Sequence, residues 1–455
     1  MAKRPVADEK GKPGASLFYV PLPQALLYWL KLGFISFGGP AGQIAMMHAE
    51  LVERRRWISE QRFLHALNYC MLLPGPEATQ LAVYIGWLMH RTLGGTIAGV
   101  LFILPSLLLL IGLSWAYMAY GSLPAVAGIL YGMKPAVVAI VLAAAWRIGQ
   151  RTLRNHLLAA IALAAFAAIS FLHLPFPALV AGAALLGWIG GRLRPQLFAL
   201  GHGAPGPASH AAGAAHAPAL IDDDTPTPPH ARFSWPGLLR AAAAGLALMA
   251  GAWLLLAWCF GVEQPLAQMG WFFSKAALMT FGGAYAVLPY VYQGGVEHFQ
   301  WLSAAQMVDG LALGETTPGP LIMVVAFVGF VGAWSHEAIA GQPALAGVLG
   351  AVVAAWFTFV PSFIFILAGG PLVESTRGNI RMTAPLTAIS AAVVGVIASL
   401  ALFFGLHVFH PEGRWEWPAV CIAVAAAVAL MRFKQGTIRV LIACAIAGVV
   451  LSYRV

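Results

Sequence analysis

Apolar residues in this chain fall in long blocks separated by short polar stretches, without the one-sided stripe of a soluble surface helix. The blocks have the length needed to cross a bilayer, about 20 apolar residues each. They lie near 18–51, 63–90, 95–118, 124–146, 156–174 and 176–191, then near 237–261. The plan returns near 264–295, 304–333, 343–369, 384–406, 417–431 and 438–453. The pattern predicts an all-α polytopic membrane protein of six, one and six segments. The first two blocks of each set are long and broken midway by Gly and Pro, which suits a re-entrant hairpin of two half-helices.

The return is a duplication. Phe37-Gly38-Gly39 recurs as Phe281-Gly282-Gly283, an offset of 244 residues. At the same offset Lys31 matches Lys275, Glu53 matches Glu297, Trp57 matches Trp301 and Ser59 matches Ser303. Pro74-Gly75-Pro76 likewise matches Pro318-Gly319-Pro320. After 12 inserted residues Pro105-Ser106 matches Pro361-Ser362, and Ala136-Val137-Val138 matches Ala392-Val393-Val394. The chain therefore divides into a cytoplasmic tail over 1–17, a first repeat over 18–195, a linker over 196–235, a linking transmembrane helix over 236–263 and a second repeat over 264–455. The linker is rich in Ala, Gly, Pro and His, and its composition predicts a disordered cytoplasmic segment. Its histidines (His202, His210, His216, His230) have the chemistry of metal ligands, but solvated low-complexity chain is the reading adopted, and no metal site is expected.

One odd helix between two sets of six turns the second set over, so the repeats are expected to have inverted topology, a transporter signature. Charge agrees with this. Arg147, Arg151 and Arg154 mark one cytoplasmic loop, Arg192 and Arg194 the next, and Arg377 with Arg381 and Arg432 with Lys434 mark those of the second repeat. The counterpart of Arg54-Arg55-Arg56, near Glu297 to Trp301, carries no Lys or Arg. Reading the first two blocks as hairpins keeps Arg54, Arg55, Arg56 and Arg62 on the cytoplasmic side, whereas a single crossing would place them outside. The hairpin is the reading adopted.

Composition narrows the class. Apolar residues make up 60% of the 455 positions and charged residues only 9%, and the mean hydropathy is +0.79. Soluble enzymes, fibrous proteins and disordered scaffolds are excluded. The net charge of +9 lies in short clusters between apolar blocks rather than in a stripe, so nucleic acid is not the expected partner; the bilayer is. The basic N-terminus (Lys3, Arg4, Lys10, Lys12) leads to no cleavage site of a signal peptide. Cys70, Cys259, Cys421 and Cys444 are scattered and read as free apolar thiols. No phosphate loop of the G-x-x-x-x-G-K-[ST] type is present, and His336-Glu337 lacks the second histidine of a zinc-protease motif. The chain is expected to be neither an ATPase nor any other enzyme, and no cofactor is implied.

The candidate chemistry sits at the breaks. Gly38-Gly39-Pro40 and Gly75-Pro76 in one repeat, and Gly282-Gly283 and Gly319-Pro320 in the other, interrupt helices at membrane depth, where irregular backbone survives only inside protein or beside a watery cavity. A helix restarting at Pro40, Pro76 or Pro320 presents free N–H groups and the positive end of its dipole, a ready anion site; packing kinks are the plainer reading. Lys31 and Lys275, equivalent across the repeat, are expected to approach one site from opposite sides and suit a doubly negative substrate, or else to snorkel to the interface. Glu77 and Glu315 flank the two Pro-Gly-Pro breaks and are candidate proton carriers, or helix caps. Thr79, Gln80, Thr316 and Thr317 offer neutral donors, although such hydroxyls often bond only to backbone. Asn68, His90 and Asp309 are weaker candidates.

The run Leu73-Pro74-Gly75-Pro76-Glu77-Ala78-Thr79-Gln80-Leu81-Ala82, continued by Tyr84-Ile85-Gly86-Trp87, resembles the most recognisable segment of the chromate ion transporter family. Phe37-Gly38-Gly39-Pro40 and Thr317-Pro318-Gly319-Pro320 fit as well, and the similarity covers the chain outside its tail and linker. The length resembles the family's long members, with two fused halves. This resemblance implies proton-motive export of chromate across the bacterial inner membrane, and chromate resistance. Chromate is a tetrahedral dianion and a sulfate mimic, so a sulfate or other oxyanion carrier and a passive anion channel remain open alternatives. A homodimer is left open too.

Overall fold

The computed structural model describes residues 20–37, 39–172, 174–198, 219–223, 225–281, 283–375 and 384–452. The described residues form helices and no named strand. The first repeat opens with α1 (Leu22–Ile35), which stops at Ser36; the chain restarts as α2 (Gly39–His48) and runs on in a π-helical turn over Ala49–Arg54. α3 (Glu60–Cys70) leads to the Pro-Gly-Pro break, from which α4 (Glu77–Tyr120) departs. α4 doubles back within its own length, because His90 and Arg91 leave helical geometry and Arg91 takes a φ of 60°. Its two arms then press Gly86 against Gly94, where a Cβ on Gly86 would lie 2.5 Å from the Gly94 carbonyl oxygen.

α1 and α3 span about 21 and 16 Å at 1.5 Å per residue, short of a hydrocarbon core of about 30 Å. They are half-helices. α1 starts where His90 Nε2 meets the Val20 carbonyl (2.7 Å) and ends where Gly33 packs on Leu101 and Pro105, halfway along the outer arm of α4. α2 and α3 meet at their outer ends through His48 and Glu60, 2.9 Å apart. The elements therefore form two hairpins whose outer ends lie together.

The second repeat rebuilds this device from α10 (Pro265–Leu278), α11 (Ala284–Tyr292) with a π-helical turn over Gln293–His298, α12 (Ala304–Thr316) and α13 (Val324–Ser335). Small details recur in register. Arg56 and Gln300 both have positive φ, 51° and 53°. Ser59 and Ser303 both cap the next helix. The Tyr28–Trp57 edge contact at 5.6 Å returns as Phe272–Trp301 at 5.4 Å. In the second repeat Asp309, early in α12, accepts from Tyr117 near the C-terminal end of α4 (3.0 Å).

Long helices complete the body: α5 (Pro124–Thr152), α14 (Pro343–Ser375) and α15 (Ala384–Phe409). α5 and α15 cross in the middle. α16 (Trp417–Met431) and α17 (Thr437–Ser452) pack on α5, while α6 (His156–Leu172) and α7 (Phe176–Leu193) pack on α15, so each repeat's last two helices clasp the other repeat. α8 (Pro195–Phe198) is a single turn after α7. α9 (Trp235–Phe260) lies outside against α14 and α10, with no residue buried and Trp258 84% exposed, an outer apolar face suited to lipid. α4, α5, α7, α9, α14 and α15 are long and apolar enough to cross a membrane.

The expectation of disorder in the linker, 196–235, falls in large part on residues outside the described ones. Residues 199–218 and 224 of it lie outside the described residues, as do the 1–17 tail, Arg377 and Arg381. The remainder is held. Leu220 N–H donates to Arg56 O (2.8 Å), Ile221 N–H to Trp57 O (3.0 Å) and Ser59 N–H to Ile221 O (3.0 Å). Arg62 donates to the Thr225 carbonyl, and His230 bonds to Trp87 O at 3.1 Å. The hairpin mouth supplies unpaired backbone groups that this stretch satisfies, which composition alone does not reveal.

Candidate functional site

The four helix breaks meet at mid-depth and are stitched across the repeats. Gly75 N–H donates to Thr280 O (2.7 Å), and Gly319 N–H donates to Ser36 O (2.8 Å). Gln43 adds a bond to Gly319 O at 2.5 Å, and Gln80 bonds to Pro74 O at 2.7 Å. Gly75 and Gly319 sit against Ser362 and Ser106, another pair of equivalent positions. Ser36 Oγ, Gln43 Oε1, Thr79 Oγ1, Gln80 Oε1 and Ser106 Oγ are buried here without a hydrogen-bond partner among the described residues. Orphaned polar atoms at this density mark a place where water or a polar solute completes the bonding.

A cavity of about 940 Å³ descends to this crossing from the end where the first hairpins open. His48, Glu53 and Glu60 stand at its mouth, with His48 3.2 Å from Glu53 and 2.9 Å from Glu60. Its walls include Phe63, Leu67 and Ile148. The lining also includes Gly39 and Pro40 at the start of α2, Gly283 and Ala284 at the start of α11, and the charged groups Glu77, Glu315, Arg147 and Arg151, both arginines being exposed. Tyr285 donates its hydroxyl to Glu315. Two helix N-termini and two guanidinium groups thus face one space that also holds two carboxylates. The former attract an anion, and the latter are groups whose charge a proton can remove.

At the mouth Glu50 accepts from Arg55 at 2.7 Å and from Arg54 at 3.3 Å, which holds its carboxyl below the usual carboxylate range. Arg55 also stacks over Trp57 and Tyr28, 4.9 and 5.4 Å from the ring centres. The basic cluster anchors the hairpin tips.

The family profile described as chromate transporter matches residues 23–188 and 267–449. The chain belongs to the chromate transporter family. The two matched blocks coincide with the two repeats, and the unmatched interval holds the linker and α9. Among family relatives, a chromate transport protein of Pseudomonas aeruginosa is 34% identical over 84% of this chain and 80% of its own length. One from Cupriavidus metallidurans is 29% identical over 91% of this chain and 89% of its own. An uncharacterized transporter of Methanocaldococcus jannaschii is 22% identical over 94% and 93%. No solved structure matches the chain.

Of the site residues read from sequence, the structure of this chromate transporter family member brings Gly39, Pro40, Gly283, Glu77 and Glu315 to the cavity. Gly38 and Gly282 lie outside the described residues. Gly75, Pro76, Thr79, Gln80, Thr317, Gly319 and Pro320 are buried in the crossing itself and are not part of the cavity wall. Thr316 and Thr317 donate their hydroxyls to Leu313 O (2.7 Å) and Gly314 O (2.9 Å), the backbone-bonded alternative.

Lys31 and Lys275 do not converge. Lys31 is exposed on the outside of α1, and Lys275 lies over the exposed Trp271 ring, 5.6 Å from its centre. Both lie on outer helix faces, where a lysine reaches water more cheaply than from a buried site. Arg147 was legible only as a loop marker, because it ends an apolar helix where cytoplasmic charges belong. Its direction into the cavity comes from the crossing of α5, which a linear pattern does not contain.

Proposed function

We propose that this protein carries chromate out of the cell through the bacterial inner membrane, driven by the proton-motive force, and so confers chromate resistance. The observation that carries the reading is the cavity: helix N-termini from both repeats, Arg147 and Arg151 surround it, and Glu77 and Glu315 line it. A tetrahedral dianion finds there two cations and free backbone donors. The arginine-rich end, with Arg54, Arg55, Arg56, Arg62, Arg147 and Arg151, is assigned to the cytoplasm by the positive-inside rule. The cavity then loads from the cytoplasm, the direction export requires.

In this reading the two repeats are inverted, and the α1–α2 and α10–α11 hairpins lie on either side of the substrate path. Glu77 and Glu315 exchange protons as the site alternates. Protons taken up on the outer side are released inward before chromate enters, so proton and anion occupy the site in turn and the inward proton flow drives the anion out. The names of the Pseudomonas and Cupriavidus relatives favour chromate over sulfate; the chemistry of the site takes either oxyanion. The test is chromate uptake into everted membrane vesicles, energised and then treated with a protonophore, with sulfate as competitor. Uptake that collapses with the gradient and resists sulfate supports the reading. Uptake that ignores the protonophore points to a passive channel, and uptake that follows sulfate equally well removes the substrate.

A further inference from the structure

Beyond the cavity lining, a polar cluster joins three helices of the two repeats. On α5, thirteen residues before Arg147 and about 20 Å of helix rise from it, Lys134 Nζ lies 3.4 Å from Asp309 Oδ2 on α12. The Tyr117 hydroxyl of α4 donates to the same oxygen at 3.0 Å. Asp309 is only 3% exposed, and its other oxygen has no hydrogen-bond partner among the described residues. Lys134 and Tyr117 are the charged or titratable groups that act on it. One carboxylate thus ties together the three helices that must separate for a path to open at that end. The buried Phe327 packs its ring 5.3 Å from Tyr117, and Leu311, two residues along α12 from Asp309, is buried as well. On the same helix Glu315 faces the cavity, about 9 Å of rise away.

The repeat supplies the comparison. The positions equivalent to Asp309, Tyr117 and Lys134 are His65, Val373 and Ser390. His65 bonds to the Val373 carbonyl at 3.0 Å, so the hairpin-to-long-helix contact exists at both ends. All three side chains differ: α3 offers a histidine for the aspartate, α14 a valine for the tyrosine and α15 a serine for the lysine, and among the described residues no ion pair joins α3 to α15. The cavity opens at the end without the ion pair.

We infer that the Lys134–Asp309 pair, braced by Tyr117, is the lock of the far gate, and that outward opening requires its rupture. A buried ion pair contributes little to net stability compared with an apolar pair of the same size, whereas losing one partner leaves an uncompensated charge. That asymmetry suits a two-position latch. The inference rests on the alternating-access reading above.

The experiment replaces Cys70, Cys259, Cys421 and Cys444 by serine and places one cysteine at Ala41, an exposed residue of the cavity wall. A membrane-impermeant maleimide is added to intact cells, then to everted vesicles. The parent should label fast in vesicles and slowly in cells. Lys134→Gln and Asp309→Asn should each label about tenfold faster in cells as the closed population falls. Tyr117→Phe, which removes one bond of the cluster, should give a smaller rise, and the exchange Lys134→Asp with Asp309→Lys should return the rate toward the parent. Parental rates in all three single variants, each present in the membrane at parental level, overturn the lock. Should the charged variants fail to accumulate, a parental rate in Tyr117→Phe overturns it alone. A parent that labels equally from both faces removes the one-sided cavity and the transport cycle with it. A lock that behaves as expected in a protein that does not carry chromate leaves the gate standing and removes only the substrate.

Discussion

The backbone N–H of Gly75 donates to the carbonyl of Thr280 over 2.7 Å, and its counterpart 244 residues on, Gly319, donates to Ser36 over 2.8 Å. Each Pro-Gly-Pro break is thereby bonded to the Phe-Gly-Gly break of the other repeat. Interrupted helices leave backbone groups that lipid cannot satisfy, and here each repeat satisfies the other's. The crossing is consequently a shared element that neither half can form alone.

This makes the two glycines sensitive to the smallest change. Their φ angles are 126° and 104°, and a Cβ would lie 2.3 Å from Ser362 Oγ at Gly75 and 2.6 Å from Ser106 Cβ at Gly319. Gly75→Ala and Gly319→Ala should each cost about 2–4 kcal/mol. Thermal unfolding in detergent should show both well below wild type, while Gly112→Ala, with nothing within 4 Å of its added carbon, stays near it.

Glu77 and Glu315 should carry the proton dependence. Glutamine holds each position in its neutral form, and at 315 still accepts the Tyr285 hydroxyl. Proton-driven accumulation of chromate should fall about tenfold or more in either variant, with the pH profile flattened. An unchanged profile in both would take the carboxylates out of the coupling.

The docked linker should respond to acid. Half-burial beside Trp87 lowers the His230 pKa below its ordinary value of 6.5. A depressed histidine stabilises the docked state when neutral, so docking is intact above pH 6.5 and weakens as pH falls below it. Limited proteolysis of everted vesicles should cut the linker faster at acidic pH, and His230→Ala should remove that dependence along with part of the protection at neutral pH.

Much of the architecture was legible because a duplication leaves its mark in spacing. Glycines and prolines at one offset announced the hairpins, and Trp57 with Trp301 fell in the same contact twice. The direction in which a charged side chain points was not legible. Lys31 and Arg147 both sit in or at the end of apolar helices, and only the packing sends one outward and the other into the cavity. The hydroxyls of Thr316 and Thr317 look like donors for a substrate until the backbone carbonyls one turn back are seen to take them. Asp309 gave a faint signal as a lone carboxylate in an apolar block; its partners Lys134 and Tyr117 are far off in sequence and could not be paired with it.

The most direct measurement is chromate binding to purified protein, compared between Arg147→Ala and the pair Lys31→Ala and Lys275→Ala. Removing a charge-assisted contact in the cavity should weaken binding about tenfold or more. The lysine variants, altered on the outer surface, should bind within about twofold of wild type. Wild-type affinity in Arg147→Ala together with a loss in the lysine variants would contradict the cavity as the anion site.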